Sequence, residues 1–285
     1  PTRRSSDLTV IAKAHRDAGV GTTMASISSA AVENAYGNSG MIFAQFLHGF
    51  AEAVRNKETL TLREFADSSD LAVKHAYGAV AAPVEGTILT VMREWADALH
   101  RHLDAVSFDV WLEHSVAKAR EIVEQTRTMM KVLRDRNVVD SGAKGFLLFL
   151  EGILAQVRHG GEASAVLVRS IAVEEEPEPI PLEPPLFRYC SQFTVQVGGD
   201  FSSERLQKRL LEWGDSLVMT GEPPLIHIHM HANAPEKVMA LLLESGQVVS
   251  HKADDMALQQ DIAMARRHAV GIVTDSIADV PAELL

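Results

Sequence analysis

Four short polar loops, at 17–24, 36–40, 83–88 and 139–145, carry glycine beside apolar segments and could do phosphate chemistry. In the second loop, backbone N–H groups and the Ser39 hydroxyl could bind a phosphate at the positive end of the helix that follows. Taken singly, each loop also fits an ordinary helix N-cap with a C-cap glycine. The spacing alone therefore leaves phosphate binding and helix capping open.

A second group combines a thiol with imidazoles, which is a donor set for zinc. His229 and His231 lie two residues apart in the alternating segment 225–231, so a strand would project both side chains from one face. The thiolate of Cys190, on a neighbouring strand, would complete three ligands of a tetrahedral site. The alternation, which His227 extends, is also typical of a half-solvated strand face. Both interpretations stay open on spacing alone.

Hydrophobic periodicity predicts the elements that position these groups. A 3.6-residue period predicts a helix that starts at Met41, followed by helices over 62–77, 88–103, 115–133 and 142–156. Thr61 stands three residues before Glu64, which is the spacing of a capping box. No strand pattern interrupts this half, so it is expected to be an all-helical domain.

The second half has a different pattern. Five prolines and several glutamates over 174–185 predict an extended linker. Beyond it, strands are expected at 193–197 and 225–231 and helices at 203–213 and 235–245, while 270–276 reads as a buried first strand of a further unit. The expected fold class is multi-domain α and α+β. The predicted divisions are a helical domain (1–160), a tail and linker (161–187), a small α/β domain (188–266) and the start of another domain (267–285).

Composition narrows the classes of protein. The chain has 285 residues, 46% of them hydrophobic, and 38 acidic against 27 basic residues give a net charge of −11. A disordered chain is excluded, and nucleic acid is not an expected partner because no strong cationic field is available. A single cysteine, with no transmembrane run and no secretory signal, predicts a cytoplasmic protein. The missing initiator Met and the strand-like end predict that both termini are incomplete.

Read in order, the loops resemble a known kinase family. The stretches Tyr36-Gly-Asn-Ser-Gly-Met-Ile42, Pro83-Val-Glu-Gly-Thr-Ile-Leu-Thr-Val91 and Val138-Val-Asp-Ser-Gly-Ala-Lys-Gly145 are similar to the L subunit of dihydroxyacetone kinase and, more closely, to the DhaL-like domain of bacterial fatty acid kinase. The resemblance implies an antiparallel helical barrel that binds ATP and magnesium at one rim. The residues it implies for nucleotide binding are Gly21, Thr22, Asn38, Ser39, Gly40, Thr87 and Asp140.

The metal loop departs from that family's pattern. Asp17 fits the first aspartate and is the expected magnesium ligand and catalytic residue, but Gly19 stands where the family has a second aspartate and Thr23 where it has asparagine. The spacing from Met24 to Gly37 is also shorter than in the family, as though one helix between the two loops were missing. The expectation is an impaired kinase site or an aberrant N-terminal sequence.

The second half resembles the middle domain of the same family. Two motifs of that domain are matched by Tyr189-Cys-Ser-Gln-Phe193 and His229-Met-His-Ala-Asn-Ala-Pro235. A third motif is similar to Gly214-Asp-Ser-Leu-Val-Met-Thr-Gly221, although a plain helix-to-strand turn also accounts for this stretch. The resemblance implies zinc bound by Cys190, His229 and His231. Gln192 replaces a frequent glutamate, which would weaken a fourth ligand or a contact behind the ligands.

The tail 271–281 resembles the start of DegV-family fatty-acid-binding proteins. The implied function is an ATP-dependent kinase that phosphorylates a fatty acid carboxylate, presented by a DegV-like domain in cis or in trans, to give an acyl phosphate. Two alternative functions stay open: a kinase of dihydroxyacetone or another small hydroxy compound, and a scaffold or regulatory relative that has lost turnover. A homodimer is a further expectation.

Overall fold

The computed structural model describes residues 19–105, 107–160, 184–199 and 201–264. The helices of the first unit are α1 (Val20–Asn34), α2 (Gly37–Ala53), α3 (Leu62–Gly78), α4 (Ile88–Arg101), α5 (Phe108–Met129), α6 (Lys131–Arg136) and α7 (Ser141–His159). The second unit contains β1 (Tyr189–Val197), α8 (Ser203–Leu210), β2 (Gly214–Glu222), β3 (Leu225–Ala232), α9 (Pro235–Ser245), β4 (Gly246–Asp255) and α10 (Met256–Met264). The described part of the chain contains no helix that is long and apolar enough to cross a membrane.

Local signals explain some of the helix boundaries. Helix α3 begins at the predicted capping box, in which Thr61 accepts from the Glu64 N–H at 3.2 Å and the Glu64 carboxylate accepts from the Thr61 N–H at 2.9 Å. The predicted helix over 115–133 is in fact two helices, because Met130 has an extended backbone (φ −109°, ψ 138°). Helix α1 does not follow from the apolar spacing, since the pattern of its start is that of a loop.

An aromatic cluster forms the centre of the helical unit. The ring of Phe146 on α7 lies 5.4 Å from that of Phe46 on α2 and 5.7 Å from that of Trp95 on α4. The indole N–H of Trp95 donates to the Ser115 hydroxyl at 3.1 Å, and that of Trp111 donates to the Leu99 carbonyl at 2.9 Å. Burying both indoles therefore leaves no polar atom of either ring without a partner.

The second unit is an antiparallel sheet in the order β2-β3-β1-β4. Helices α8 and α9 pack on it over a core that includes Val195, Leu210, Ile228 and Leu242. The two predicted strands are present and longer than expected, and α9 has the predicted bounds. Strands β2 and β4 were not predicted. Because all the strand pairs of this sheet are antiparallel, the unit is α+β and not the predicted small α/β domain.

The two units share main-chain hydrogen bonds. The chain between α3 and α4 lies along the edge strand β2, where the Ala81 N–H donates to the Leu217 carbonyl at 3.1 Å and the Met219 N–H donates to the Ala79 carbonyl at 3.0 Å. The sheet edge thus reaches the end of the helical unit where α3 stops and α4 begins. The strand predicted at 270–276 and most of the predicted linker lie outside the described residues.

Candidate functional site

The first turns of α2, α4 and α7 meet at one end of the helical unit, around a cavity of about 250 Å³. Four predicted nucleotide-binding residues line this cavity: Asn38, Ser39, Thr87 and Asp140. Unpaired N–H groups give a helix start a partial positive charge, so three starts together favour an anion. Whole-ligand pockets usually measure roughly 300 to 1,000 Å³, so the cavity suits the phosphate part of a nucleotide.

Asn38 and Ser39 lie in the first turn of α2, and Gly40 follows them there. The Asn38 Oδ1 atom is buried and has no hydrogen-bond partner among the described residues, so it could accept from a ligand. Gly142 makes room for Ser39, because a Cβ atom at position 142 would lie 2.9 Å from Ser39 Cβ and closer still to Ser39 Oγ. Glycine at 142 therefore lets the starts of α2 and α7 approach each other.

Asp140 joins two of the helix starts. Its carboxylate caps α7 by accepting from the Ala143 N–H at 2.8 Å, and it also faces the backbone of Ile88 at the start of α4. Burial raises the pKa of Asp140 above the usual 3.8, against the opposing effect of these N–H groups. The geometry therefore gives Asp140 a capping role beside any contact that it makes to a ligand.

An ion-pair network holds the loop that carries Thr87. The Arg93 guanidinium donates to both oxygens of Glu85, and the Thr90 hydroxyl donates to one of them at 2.7 Å. Hydrogen bonding to Arg93 is the main reason why the pKa of Glu85 is lowered. The Thr87 hydroxyl donates to the Val84 carbonyl at 2.8 Å. Glu85 thus anchors the loop.

Gly21 and Thr22 are not brought to this cavity. They lie in the first turn of α1, where the Gly21 N–H donates to the Lys57 carbonyl at 2.8 Å and the Val20 N–H to the Glu58 carbonyl at 3.1 Å. These carbonyls follow the C-terminal end of α2, whose 17 residues separate them from Ser39 by roughly 25 Å. The predicted grouping of the 17–24 loop with the Ser39 loop is therefore not seen.

The sheet unit also contributes to the cavity, which was not predicted. Ser216 and Val218 reach the cavity from β2, and Ser216 has a left-handed backbone conformation (φ 54°). Ser216 and Val218 belong to the 214–221 motif, which resembles a family motif. The sequence did not single out these residues, because a plain helix-to-strand turn also accounts for that motif. Only the contact between the two units shows that it faces the phosphate-sized cavity.

The magnesium expectation finds little support at this end. Asp140 is the one carboxylate among the described residues that line the cavity, and it is engaged with backbone N–H groups. Magnesium at a nucleotide is usually held by one or two carboxylates together with phosphate oxygens. Asp17, the expected ligand, lies outside the described residues. The described cavity residues therefore do not form a magnesium site.

The zinc candidates do come together. Cys190 on β1 is paired in register with His231 on β3, and the ligand atoms of Cys190, His229 and His231 lie within 4.8 Å of one another. His229 is 1% exposed, and its Nε2 atom has no hydrogen-bond partner within the described part of the chain. A buried polar atom without a partner costs about 1 to 3 kcal/mol, and a metal ion would satisfy it. The donor set therefore fits zinc.

Electrostatics keep these imidazoles neutral. Burial, together with the neighbouring His231, lowers the pKa of His229 to about 4, and burial lowers the pKa of His231. The Nδ1 atom of His229 lies 3.5 Å from the side-chain amide of Gln192, which can present its oxygen to Nδ1–H and leave Nε2 to bind a metal. Burial raises the pKa of the Cys190 thiol, an effect that a bound cation would oppose.

The described residues thus form a helical unit with convergent helix starts, followed by a sheet unit with a Cys/His cluster. Residues 6–155 match the DAK2 domain, and residues 186–262 match the FakA-like middle domain, which is named for fatty acid kinase. The chain belongs to the DAK2 domain family, and its two matches relate it to fatty acid kinase subunits.

Similar proteins occur in staphylococci. An uncharacterized protein of Staphylococcus saprophyticus is 29% identical over 263 residues, which covers 88% of this chain and 47% of that protein. One from Staphylococcus aureus strain USA300 is 30% identical over 251 residues, covering 84% and 45%. One from Staphylococcus epidermidis is 29% identical over 262 residues, covering 89% and 47%. The chain thus spans less than half the length of these relatives.

Proposed function

We propose that this chain is the ATP-binding part of a kinase that phosphorylates a fatty acid carboxylate. A carboxylate oxygen attacks the γ-phosphorus of ATP, the bond from that phosphorus to the β–γ bridging oxygen breaks, and an acyl phosphate and ADP are formed. The DAK2 match supports the kinase class, and the match to the FakA-like middle domain supports the acyl substrate. The acyl chain would come from a DegV-like domain in cis or in trans.

The observation that carries this proposal is the convergence of three helix starts on a cavity with an unpartnered Asn38 Oδ1 and the Ser39 hydroxyl. Phosphoryl transfer depends mainly on positioning the phosphates and stabilising their charge. In this role Asn38 and Ser39 orient the phosphates, and the loop anchored by Glu85 and Arg93 places Thr87 against the nucleotide.

Nucleotide binding can be tested with a non-hydrolysable ATP analogue and isothermal titration calorimetry. Ser39→Ala removes a hydrogen bond to a charged ligand and should weaken binding about tenfold or more. Ser26→Ala is the matched control, because Ser26 is an exposed serine on α1 that donates to the Thr22 carbonyl. Equal affinity in the wild type and Ser39→Ala would remove Ser39 from the site, and no binding by the wild type would refute the proposal.

Turnover can be tested by trapping acyl phosphate with hydroxylamine. The chain is incubated with Mg-ATP and a fatty acid loaded on a DegV-family carrier, and dihydroxyacetone is supplied in a parallel reaction. Hydroxamate formation that requires the fatty acid supports the proposed reaction. ADP formation that depends on dihydroxyacetone instead would assign the chain to the small-hydroxy-compound alternative.

A second candidate is a relative that binds nucleotide without turnover. The separation of Gly21 and Thr22 from the cavity favours it, as does Gly19 where the family has a metal-binding aspartate. A Cβ atom at position 19 would lie 3.0 Å from the Glu58 Cα atom, so aspartate there would require the backbone to move. Analogue binding without product in either reaction would identify this function.

We also propose that Cys190, His229 and His231 bind one zinc ion with a structural role. The three ligands come from two paired strands, and none of them lines the cavity that would hold the phosphoryl donor. Metal analysis should show that Cys190→Ser lowers bound zinc by one equivalent per chain, whereas His251→Gln, on the exposed strand β4, should leave it unchanged. Identical zinc content in wild type and Cys190→Ser would end this proposal.

A further inference from the structure

A second cluster of metal-binding side chains lies between α2 and α3. His48 and Glu52 are four residues apart on α2, so both face the same side of the helix, and His75 faces them from the last turn of α3. The ligand atoms of the three residues lie within 4.8 Å of one another. The Nε2 atom of His75 is 3.2 Å from Glu52 Oε2. Two imidazoles and one carboxylate thus meet at one point.

The helix packing brings His75 to this point. Gly49 lies between His48 and Glu52 in sequence, and a Cβ atom there would be 2.7 Å from both Cβ and Cγ of His75. Because glycine has no Cβ, the His75 side chain can lie directly against α2. Any other residue at position 49 would push the imidazole away from its two neighbours.

Neighbouring groups orient the ligands and leave the cluster accessible. The buried Ser28 hydroxyl on α1 lies 3.2 Å from His48 Nδ1, which fixes the ring and leaves its other nitrogen to bind. The side chains of His75 and Glu52 are 27% and 34% exposed. The other Glu52 oxygen faces Arg55 at 3.7 Å, but Arg55 is 70% exposed and can turn away. Of the three residues, His48 also lines a cavity of about 240 Å³ next to β3.

We infer that His48, Glu52 and His75 form a divalent metal site of the zinc class. Two histidines and one glutamate are a known zinc donor set, which leaves a fourth position for water, and cobalt or nickel suits the same donors. The site is independent of both proposed functional sites. His48 lies nine residues along α2 from Ser39, roughly 14 Å away, and Cys190 is on the sheet unit. A bound ion would link α2 to α3.

Cobalt distinguishes this site from the Cys190 cluster. A thiolate site shows sulfur-to-cobalt charge transfer, whereas a His/His/Glu site shows ligand-field bands alone. In the metal-free Cys190→Ser/His229→Ala variant, one equivalent of cobalt should still bind, without charge transfer. Adding His75→Gln should abolish this binding. His100→Gln is the matched control, because His100 is a helical histidine that pairs with Asp70 at 2.8 Å.

Zinc content of the otherwise wild-type chain gives a second measurement that does not depend on the double variant folding. His48→Gln and His75→Gln should each lower bound zinc by one equivalent per chain, whether or not Cys190 also binds zinc. Ser28→Ala should weaken zinc binding by about 10- to 100-fold, as expected for loss of an orienting hydrogen bond. If His48→Gln and His75→Gln retain the zinc content of the wild type and of His100→Gln, the site does not exist.

Discussion

The polar groups at the two ends of the helical unit differ in how far they are paired within the chain. At the cavity end, Asn38 Oδ1 has no partner among the described residues, and burial raises the pKa of Asp140. At the other end, Lys57 and Thr61 lower the pKa of Glu64 to about 2, and the Gly21 N–H donates to a main-chain carbonyl. The cavity end therefore contains a buried acceptor without a partner among the described residues, whereas these polar groups at the other end are paired within the chain.

The direction of the helices explains why the Gly19 region and the Ser39 loop lie at opposite ends of the helical unit. In an antiparallel helical unit, each helix carries the chain from one end to the other. A single helix, α1, separates the Gly19 region from the Ser39 loop, so the two lie at opposite ends. A second intervening helix would return them to the same end. The short spacing from Met24 to Gly37 thus has a direct geometric consequence for the predicted metal loop.

The largest expected effect is at the end away from the cavity. In Gly21→Ala, the new Cβ would lie 2.6 Å from the Val54 carbonyl oxygen and close to that of Arg55, so the main chain must shift. Urea unfolding should show a loss of about 1 to 3 kcal/mol, typical of overpacking. Affinity for the ATP analogue should stay within twofold of the wild type. Unchanged stability with lost affinity would place Gly21 at the nucleotide after all.

Gly142→Ala tests the cavity end in the same way. The added methyl group meets Ser39 Oγ, which can rotate away, and lies 2.9 Å from Ser39 Cβ, so the start of α2 must also shift slightly. Affinity for the analogue should fall about tenfold, or roughly 1.4 kcal/mol. Urea unfolding should show a loss of about 1 kcal/mol, at the low end of overpacking, because the methyl group meets side-chain atoms here but main-chain atoms in Gly21→Ala. A variant with normal affinity would show that the Ser39 position is not needed for binding.

Asp140→Asn addresses the buried carboxylate. Asparagine is also a good N-cap, so the main change is the loss of a charge whose burial raises the pKa. The raised pKa means that ionised Asp140 reduces stability at neutral pH. This cost disappears as pH falls through the raised pKa toward 3.8. Thermal melts should therefore show the greatest advantage of Asp140→Asn near pH 7, and a constant difference across pH would contradict the assignment.

Glu64→Gln should show the opposite pH dependence with a smaller amplitude. The pKa of Glu64 is lowered from 4.5 to about 2, so its ionised form stabilises the fold above pH 4.5. That stabilisation is lost as pH falls through about 2. Because the carboxylate is exposed, the difference between variant and wild type should also shrink in high salt. Thermal melts at neutral pH in low and high salt measure this difference in stability. A difference that does not change with salt would contradict an electrostatic origin.

Local patterns were enough to predict several elements. Helix α3 follows from the Thr61 and Glu64 capping box, and α9 from its apolar period behind Pro235. Strand β4 was not predicted because it is an edge strand whose residues are mostly exposed, so buried and exposed positions alternate only weakly. Helix α1 escaped because its glycine-containing start resembles a loop, although N–H donation to the 57–58 carbonyls stabilises it.

The sequence by itself determined that a helical unit precedes a unit with strands, because these patterns depend on residue type and short-range spacing. The candidate loops and the set of Cys190, His229 and His231 came from the family resemblance, since spacing alone left their roles open. The tertiary structure decided which loops share an end, that Ser216 reaches the phosphate-sized cavity, and that His75 joins His48 and Glu52. Such groupings depend on the direction of each helix and on close approaches such as that of Gly49 to His75, which hydrophobic periodicity does not encode.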